Sequence, residues 1–321
     1  MMRATSGDPG GAALDPVKDT LRAQGYFLAC TSRPETNLTV ALPRDEDVSV
    51  PARIGRVTMA GSGVLRVCLE PEEPLSFRAG QYITLQRRDG LSRSYSIASL
   101  PVRHPEGGIQ PVELHVRRLR GGAMSGWLAS VPPGTPVRIR GPAGYCFYLP
   151  GRPEQPLVLA GTGTGIAPLA AVARDAIANG HTGPISIVHG AVSPDGLYLH
   201  DQLREFAAAQ PAVRYRGCVL SGRTPGAYTG DITDAVLAEV NALTSGVDAL
   251  SGVGAGVGAV LPGSGMAAAR PEGDSVTPAA AGKPRGFLCG GSGSTRRTRK
   301  ALFLAGLSLS EIFTDEFLPG G

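Results

Sequence analysis

A chain of 321 residues with a formal net charge of +4 is long enough for two hydrophobic cores, and its charge is too small to indicate nucleic-acid binding. Its apolar fraction of 42% is ordinary, and no apolar run approaches the roughly 18 residues of a membrane helix. The five cysteines are scattered and the N-terminus lacks a signal-peptide core, so composition predicts a cytoplasmic protein with no metal site and no membrane or nucleic-acid partner.

The first half of the chain has a β pattern after an N-terminal arm. Residues 1–24 are small, polar and bear Gly and Pro, which predicts a flexible arm. Short apolar runs broken by Gly and Pro then predict antiparallel strands that close into a barrel domain over 46–150. The predicted strands are Arg53–Met59, Val64–Leu69, Gln81–Arg87, Val112–Arg118 and Val137–Arg140.

From 151 to 321, strand patterns alternate with helical patterns, which is typical of a parallel sheet. The predicted strands are Leu157–Ala160, Ile185–His189, Val213–Val219 and Gly286–Cys289, and the predicted helices are Pro168–Asn179, His200–Ala209, Ile232–Val240 and Ser294–Leu304. Residues 241–285 are rich in Gly, Ala, Ser and Pro and bury too little surface to offset their ordering entropy. We therefore expect a disordered, low-complexity insertion there.

The motif Arg93-Ser94-Tyr95-Ser96 ends one of the β patterns. Side chains alternate faces along a strand, so Arg93 and Tyr95 share one side. A guanidinium pairs with phosphate, and a tyrosine ring offers a flat face to another aromatic ring. The motif suits a flavin and its phosphates, although taken alone it also fits an ordinary half-exposed strand.

Two glycine motifs lie downstream. Gly121-Gly122-Ala123-Met124-Ser125 puts a glycine pair and a serine at the start of a short helical pattern, where backbone amides can bind an anion. Gly161-Thr162-Gly163-Thr164-Gly165 follows an apolar strand, and its glycines would let the backbone approach a phosphate. Its third glycine comes one residue too early for the G-x-G-x-x-G fingerprint, and a plain βα loop is the alternative.

The order R-x-Y-S, G-G-x-x-S, G-P-x-G at 141–144, G-T-G-T-G-I-A-P and C-G-G at 289–291 resembles the ferredoxin–NADP reductase superfamily over about 52–319. The resemblance implies a six-stranded antiparallel Greek-key FAD-binding barrel, then a five-stranded parallel NAD(P)-binding sheet with helices on both faces. It implies a flavoprotein reductase that passes electrons from NADH or NADPH through FAD to an oxygenase- or ferredoxin-type partner, or to a small acceptor.

The resemblance also implies roles for residues around the flavin. Arg93 would bind the flavin diphosphate, Tyr95 would stack on the isoalloxazine, and Ser96 would hydrogen-bond near its reactive nitrogen. Three residues would hold the phosphates, namely Gly122, Met124 and Ser125, and His115 completes the predicted flavin set. FMN in place of FAD stays open.

Around the nicotinamide nucleotide, the resemblance implies contacts from the turn that contains Gly161, Thr162, Gly163, Thr164 and Gly165. Cys289 and Gly290 would lie beside the two rings, so Tyr95, Ser96 and Cys289 form the predicted catalytic group. The segment 191–196 carries no cation for a 2′-phosphate, which favours NADH over NADPH.

The segment 25–45 resembles the tail of a plant-type [2Fe–2S] ferredoxin domain, in which Cys30 would be the last ligand. Such a cluster needs three more cysteines in a C-x4-C-x2-C pattern upstream, and residues 1–29 contain none. We expect a ferredoxin-like remnant without an iron–sulfur cluster.

Two points stay open, the activity of the chain and the place of Phe317. Ser292-Gly293-Ser294 replaces the prolines and methionine that usually follow C-G-G, and with the long insertion this leaves a second hypothesis, a catalytically impaired flavin-binding docking subunit. Near the C-terminus, Phe317 could shield a flavin face or pack in a core.

Overall fold

A computed structural model of the chain describes residues 1–15, 17–41, 49–61, 63–101, 109–245 and 283–317. Within these residues, a six-stranded antiparallel sheet is followed by a six-stranded parallel sheet. The predicted fold class, a barrel followed by an α/β half, is therefore confirmed. The parallel sheet has one strand more than the five expected.

Residues 1–24, expected to be a flexible arm, form instead part of a small folded unit. A three-stranded antiparallel sheet has the order β2-β1-β3, and two short helices lie between its first two strands. These elements are β1 (Met2–Ser6), α1 (Gly11–Leu14), α2 (Asp19–Arg22), β2 (Tyr26–Phe27) and β3 (Thr39–Ala41).

This N-terminal unit contacts both larger sheets. Asp19 pairs with the buried Arg285 of the parallel sheet at 2.6 Å. Gln24 donates to the carbonyl of Gly144, at the end of the barrel, at 3.1 Å. These partners lie more than a hundred residues away in the sequence, so no local pattern could predict the anchoring.

The antiparallel sheet has the strand order β7-β6-β9-β4-β5-β8, and a bridge between Ile97 and Leu114 brings its two edges together. Alternate side chains such as Val67, Leu85 and Ile139 are fully buried inside it. Its strands are β4 (Ser49–Gly61), β5 (Val64–Pro71), β6 (Tyr82–Gln86), β7 (Ser92–Ser96), β8 (Val112–Arg117) and β9 (Pro136–Ala143), with α3 (Ala123–Leu128) between β8 and β9.

The parallel sheet has the order β13-β12-β11-β10-β14-β15. Its strands are β10 (Leu157–Thr162), β11 (Ile185–Ala191), β12 (Val213–Val219), β13 (Ala227–Thr229), β14 (Arg285–Gly291) and β15 (Ile312–Phe317). Its helices are α4 (Ile166–Ala178), α5 (His200–Ala209), α6 (Ile232–Ser245) and α7 (Ser292–Leu304). None of the helices in the described ranges combines the length and apolarity needed to cross a bilayer.

Alternation along β10 separates two cores. Leu159 packs with Leu169 of α4 and Leu203 of α5, whereas Val158 packs on the other face with Val236 of α6 and Leu302 of α7. Both faces of the sheet are therefore covered, and only the ends of its strands are open to form a site.

Two parts of the sequence prediction need correction here. The strands β13 and β15 were not predicted, because one has three residues and the other mixes apolar with acidic side chains, as edge strands tolerate. Residues 241–245, assigned to the insertion, continue α6, and Arg285 begins β14. The rest of the expected insertion, 246–282, lies outside the described residues.

Candidate active-site cleft

A cavity of about 540 Å³ opens where the barrel meets the carboxyl ends of β10 and β14. Strands β7 and β8 and the segment that leads into α3 form its barrel side, and the turn after β10 forms its other side. Parallel strands place their following loops at one edge of the sheet, so ligand sites form there. The two halves of the chain thus build one cleft.

The cavity brings together ten of the fourteen residues that the sequence predicts to bind cofactors. Nine of them come from three separate motifs and His115 comes from β8; the ten are Arg93, Tyr95, Ser96, His115, Gly122, Met124, Ser125, Thr162, Gly163 and Thr164. The sequence motifs therefore converge in space, although about seventy residues separate the first from the last.

Electrostatics of the cavity favour a bound anion. Arg93 and Arg117 are the charged side chains in its described lining, which contains no carboxylate. Burial raises the pKa of Tyr95 to about 12, so its phenol is neutral and its ring forms part of the wall. Two guanidinium groups beside a flat ring suit a ligand with a diphosphate and an aromatic system. Arg117 was not among the predicted residues.

Ser96 is tied to the opposite side of the cleft. It ends β7, and its Oγ donates to Oδ2 of Asp315 on β15 at 2.8 Å. Burial raises the pKa of the Asp315 carboxyl, and the Ser96 hydrogen bond opposes this shift. Asp315 escaped the sequence analysis because its neighbourhood depends on a strand that was not predicted.

Cys289 does not line the cavity, contrary to the expectation that it lies beside the rings. It is 1% exposed, and its Sγ lies 3.7 Å from Sγ of Cys146, another buried thiol. Its hydrogen bond with Cys146, followed by burial, raises the pKa of the Cys289 thiol. Side chains alternate along β14, and that of Cys289 points into the core under α4. Gly291, two residues later, lines the cavity instead.

Three predicted glycines also lie outside the lining, and they serve packing. A Cβ on Gly165 would collide with the backbone of Cys289, and one on Gly290 would collide with Oγ1 of Thr162. A Cβ on Gly161 would lie 2.6 Å from the backbone nitrogen of Ile166. These glycines let the turn lie close against β14 and α4.

Gly163 is the member of the turn whose surroundings suit a ligand. Its φ is +56°, and a Cβ there would meet only the guanidinium of Arg117 within 4 Å. Gly163 and Arg117 line the cavity, so the backbone of the turn is open to it at this position.

A second cavity of about 500 Å³ adjoins the first at the ends of β10, β11 and β12. The two share Arg117, Thr162 and Gly163. Its remaining charged lining residues are Arg297 and Asp231, whose guanidinium and carboxylate lie 3.2 Å apart. The shared wall makes one route between two ligand-sized spaces, which is the arrangement that transfer between two cofactors requires.

Two family models match the chain. An oxidoreductase FAD-binding domain covers residues 60–148, and an oxidoreductase NAD-binding domain covers 159–251. The first match falls on the barrel and the second on the parallel sheet.

The chain is similar to reductase components of known enzyme systems. It is 30% identical to the ferredoxin–NAD(P)+ reductase component of a naphthalene 1,2-dioxygenase system of Pseudomonas putida, over 95% of this chain and 81% of that protein. It is 36% identical to the reductase subunit of an aromatic O-demethylase of Amycolatopsis, over 73% of this chain and 72% of that subunit.

Solved structures of similar proteins share this two-domain fold. A cytochrome P450 reductase of Amycolatopsis superposes with a TM-score of 0.66 at 28% identity, over 99% of this chain and 86% of that one. A Neisseria gonorrhoeae ferredoxin–NADP+ reductase with bound FAD and NADP shares the fold, with a TM-score of 0.62 at 19% identity over 84% of this chain and 99% of that one. The matched domains, the identity and the paired cavities together show that the chain belongs to the ferredoxin–NADP reductase superfamily and is an FAD-dependent NAD(P)H oxidoreductase.

Proposed function

We propose that this chain is the reductase component of an oxygenase system, which takes electrons from a nicotinamide nucleotide and delivers them to a separate acceptor protein. The observation that carries the proposal is the wall of Arg117, Thr162 and Gly163 that the two cavities share. The named roles of the relatives, in dioxygenase and O-demethylase systems, support an oxygenase-type acceptor or its ferredoxin.

The barrel side of the larger cavity fits FAD. Bound FAD would supply a hydride acceptor that can release electrons singly. Arg93 and Arg117 would hold its diphosphate, the ring of Tyr95 would form the wall against its aromatic system, and Ser96 would orient it from the end of β7. The amide groups near Gly122 and the hydroxyl of Ser125 complete the polar lining on this side.

The smaller cavity suits the nicotinamide nucleotide. Thr162 and Thr164 would orient the nucleotide at the turn, and Gly163 would let the backbone approach it. Its described lining offers just Arg117 and Arg297 as cations, and Arg297 is already paired with Asp231. We favour NADH as the donor, because the lining residues at the ends of β11 and β12 include no cation for a 2′-phosphate.

Catalysis in this cleft would consist of orientation and exclusion of water. The residues of the cleft would orient FAD and the nucleotide, since effective transfer requires reacting atoms in near-attack contact. The hydrogen bond between Ser96 and Asp315 ties the barrel to the sheet next to this point. We infer that the domain boundary falls near residue 150, between the strands that carry the two half-sites.

Anaerobic flavin reduction tests the proposal. The purified chain should retain or take up FAD with the visible spectrum of a flavoprotein, and NADH should bleach that spectrum faster than NADPH does. Reduced protein should then reduce an added [2Fe–2S] ferredoxin. Failure to bind FAD contradicts the flavoprotein assignment, and bound FAD that neither nucleotide reduces supports the impaired docking subunit instead.

A further inference from the structure

A chain of hydrogen bonds crosses from the barrel to the parallel-sheet half beside the flavin cavity. His115 lies on β8 and lines the cavity, and its side chain is 4% exposed. Its Nε2 lies 2.9 Å from Oε1 of Glu113, and its Nδ1 lies 2.8 Å from the hydroxyl of Tyr198, which precedes α5. Tyr198 thus reaches from one half of the molecule into the other.

The partners determine how the imidazole is held. The hydrogen bond with His115 lowers the pKa of the Glu113 carboxyl, so the ionised carboxylate accepts from Nε2–H. Burial raises the pKa of the Tyr198 phenol, so its hydroxyl keeps its proton and can donate. In a neutral imidazole this arrangement places the proton on Nε2 and leaves Nδ1 to accept from Tyr198. Glu113 therefore fixes the tautomer of His115, and Tyr198 holds its ring plane through the hydrogen bond at Nδ1.

The other face of Tyr198 points to the nucleotide side. Its ring meets that of His189 edge to face, with centroids 5.9 Å apart. His189 is fully buried near the end of β11, where it pairs in register with Gly161. Burial, partly opposed by the backbone of Gly163, lowers the pKa of His189 to about 3, so this ring is neutral. Tyr198 thus touches the residue that lies beneath the glycine turn.

The barrel also makes room for Tyr198 at a second point. Gly61, at the end of β4, has a φ of +122°, and a Cβ there would lie 3.4 Å from the Cβ of Tyr198. Tyr198 is therefore held between β4 and β8 on one side and β11 on the other. A side chain packed in this way couples the position of the barrel wall at His115 to that of the sheet at His189.

We propose that Tyr198 is a positioning residue for hydride transfer. Its hydroxyl holds His115 in the wall of the flavin cavity, and its ring supports His189 beneath Gly163. Through these two contacts one side chain would hold both binding surfaces in place, and the rate of hydride transfer depends steeply on how the bound cofactors are oriented. The inference rests on the proposed function, since it concerns the same pair of cavities.

The chain contains a matched control for this contact. His200 and Tyr215 form the same pair, with Nδ1 to hydroxyl at 3.0 Å, centroids 5.5 Å apart and an interplanar angle of 63°. The corresponding values for His115 and Tyr198 are 2.8 Å, 5.6 Å and 62°. The control pair lies within the parallel-sheet half and lines neither cavity.

The experiment compares Tyr198→Phe with Tyr215→Phe in the FAD-loaded chain. Stopped-flow reduction by NADH should give a limiting rate lowered about tenfold or more by Tyr198→Phe, with an apparent nucleotide affinity changed by less than about threefold. Tyr215→Phe should leave the limiting rate within about twofold of the parent. A loss of similar size in both variants, or none in Tyr198→Phe, overturns the proposal.

A second readout does not depend on flavin reduction. Nitrogen-15 shifts of the histidine rings in the flavin-free chain should show a changed Nδ1 resonance of His115 in Tyr198→Phe, because that nitrogen loses its hydrogen-bond donor, and Tyr215→Phe should leave it unchanged. An unchanged Nδ1 shift of His115 in Tyr198→Phe contradicts the proposal. If Tyr198→Phe fails to fold, His115→Gln tests the same link through the same rate. A parent chain that NADH cannot reduce counts against the proposed function, whereas a reducible parent with an equally fast Tyr198→Phe counts against this inference alone.

Discussion

The hydroxyl of Ser96 donates to Oδ2 of Asp315 at 2.8 Å, and this bond links the last residue of a barrel strand to the edge strand of the parallel sheet. Both residues lie at the point where the two cofactor-binding halves meet. The bond gives a buried carboxylate a partner, and it also holds the serine in place.

Loss of this bond should slow flavin reduction and weaken the fold. We expect Ser96→Ala to lower the limiting rate of reduction by NADH about tenfold, and to cost about 1–2 kcal/mol in the free energy of unfolding, because Asp315 stays buried without this donor. Ser130→Ala is the control, since the exposed Ser130 hydroxyl donates to the carbonyl of Trp127 at 3.4 Å and Ser130 lines neither cavity. Equal effects from both substitutions would show that the Ser96 bond has no special role.

The pH dependence of stability should reveal the raised pKa of Asp315. An acid whose pKa is higher in the folded protein than in the unfolded chain binds protons more tightly when folded, so its contribution to stability falls as pH rises from its ordinary value of 3.8 through the folded pKa. Asp315→Asn removes this pH-dependent contribution to stability. The stability of the variant relative to the parent should therefore increase as pH rises from about 4 through the folded pKa of Asp315.

The stability of Glu113→Gln relative to the parent should fall as pH rises, because the His115 hydrogen bond lowers the pKa of Glu113 below its ordinary 4.5. The parent gains stability from this carboxylate above that value and loses it as pH falls through the folded pKa. Chemical denaturation across the same pH range measures both variants. Parallel pH profiles for the two would contradict the shifts described.

Cys289 should matter more for packing than for the reaction. Its thiol faces Cys146 in the core, so Cys289→Ala is expected to change the limiting rate of flavin reduction by less than about threefold while costing roughly 1–2 kcal/mol of stability. Cys68→Ala, at a half-buried thiol that lines neither cavity, provides the control. A rate loss far above that of the control would place Cys289 in contact with the rings.

The glycine turn gives a purely steric prediction. Gly165 has an ordinary helical φ of −63°, yet a Cβ there would collide with the backbone of Cys289. Gly165→Ala should therefore destabilise the chain by at least about 2 kcal/mol in denaturant unfolding. Gly126→Ala, where a Cβ meets nothing within 4 Å, should be neutral or stabilising by up to about 1 kcal/mol. Equal stability of the two variants would rule out the close approach.

Arg117 should affect both ligands because it lines both cavities. Arg117→Gln is expected to weaken FAD and nucleotide binding by about tenfold each, since one charge-assisted contact is lost on each side. Arg93→Gln should weaken FAD alone, and Arg297→Gln should weaken the nucleotide alone. Titration calorimetry separates the two affinities. An Arg117 variant that loses only one of them would show that the cavities do not share this wall.

Much of the architecture followed from local patterns. Alternation over 64–69 and 112–118 indicated barrel strands, and apolar runs between helical patterns indicated the parallel sheet, because burial on one face or two faces leaves a period in the sequence. The turn around Gly163 was identified because a ligand that needs backbone contact requires glycine at fixed positions, and the motif around Tyr95 because it places a cation and an aromatic ring on one face of a strand.

Long-range contacts decided the rest. Asp315, Arg117 and Tyr198 acquire their places through partners far away in the sequence, so their residue types alone indicate nothing. The position of Cys289 is the clearest case: its motif suggested the cavity, but strand alternation and the neighbouring Cys146 turned its side chain into the core. Local spacing predicts most of the strands and helices of the two large sheets and the cofactors that they suit, because burial and backbone contact leave a period in the sequence. The side chains that face each other across the cleft are set by packing between distant elements, which no local pattern encodes.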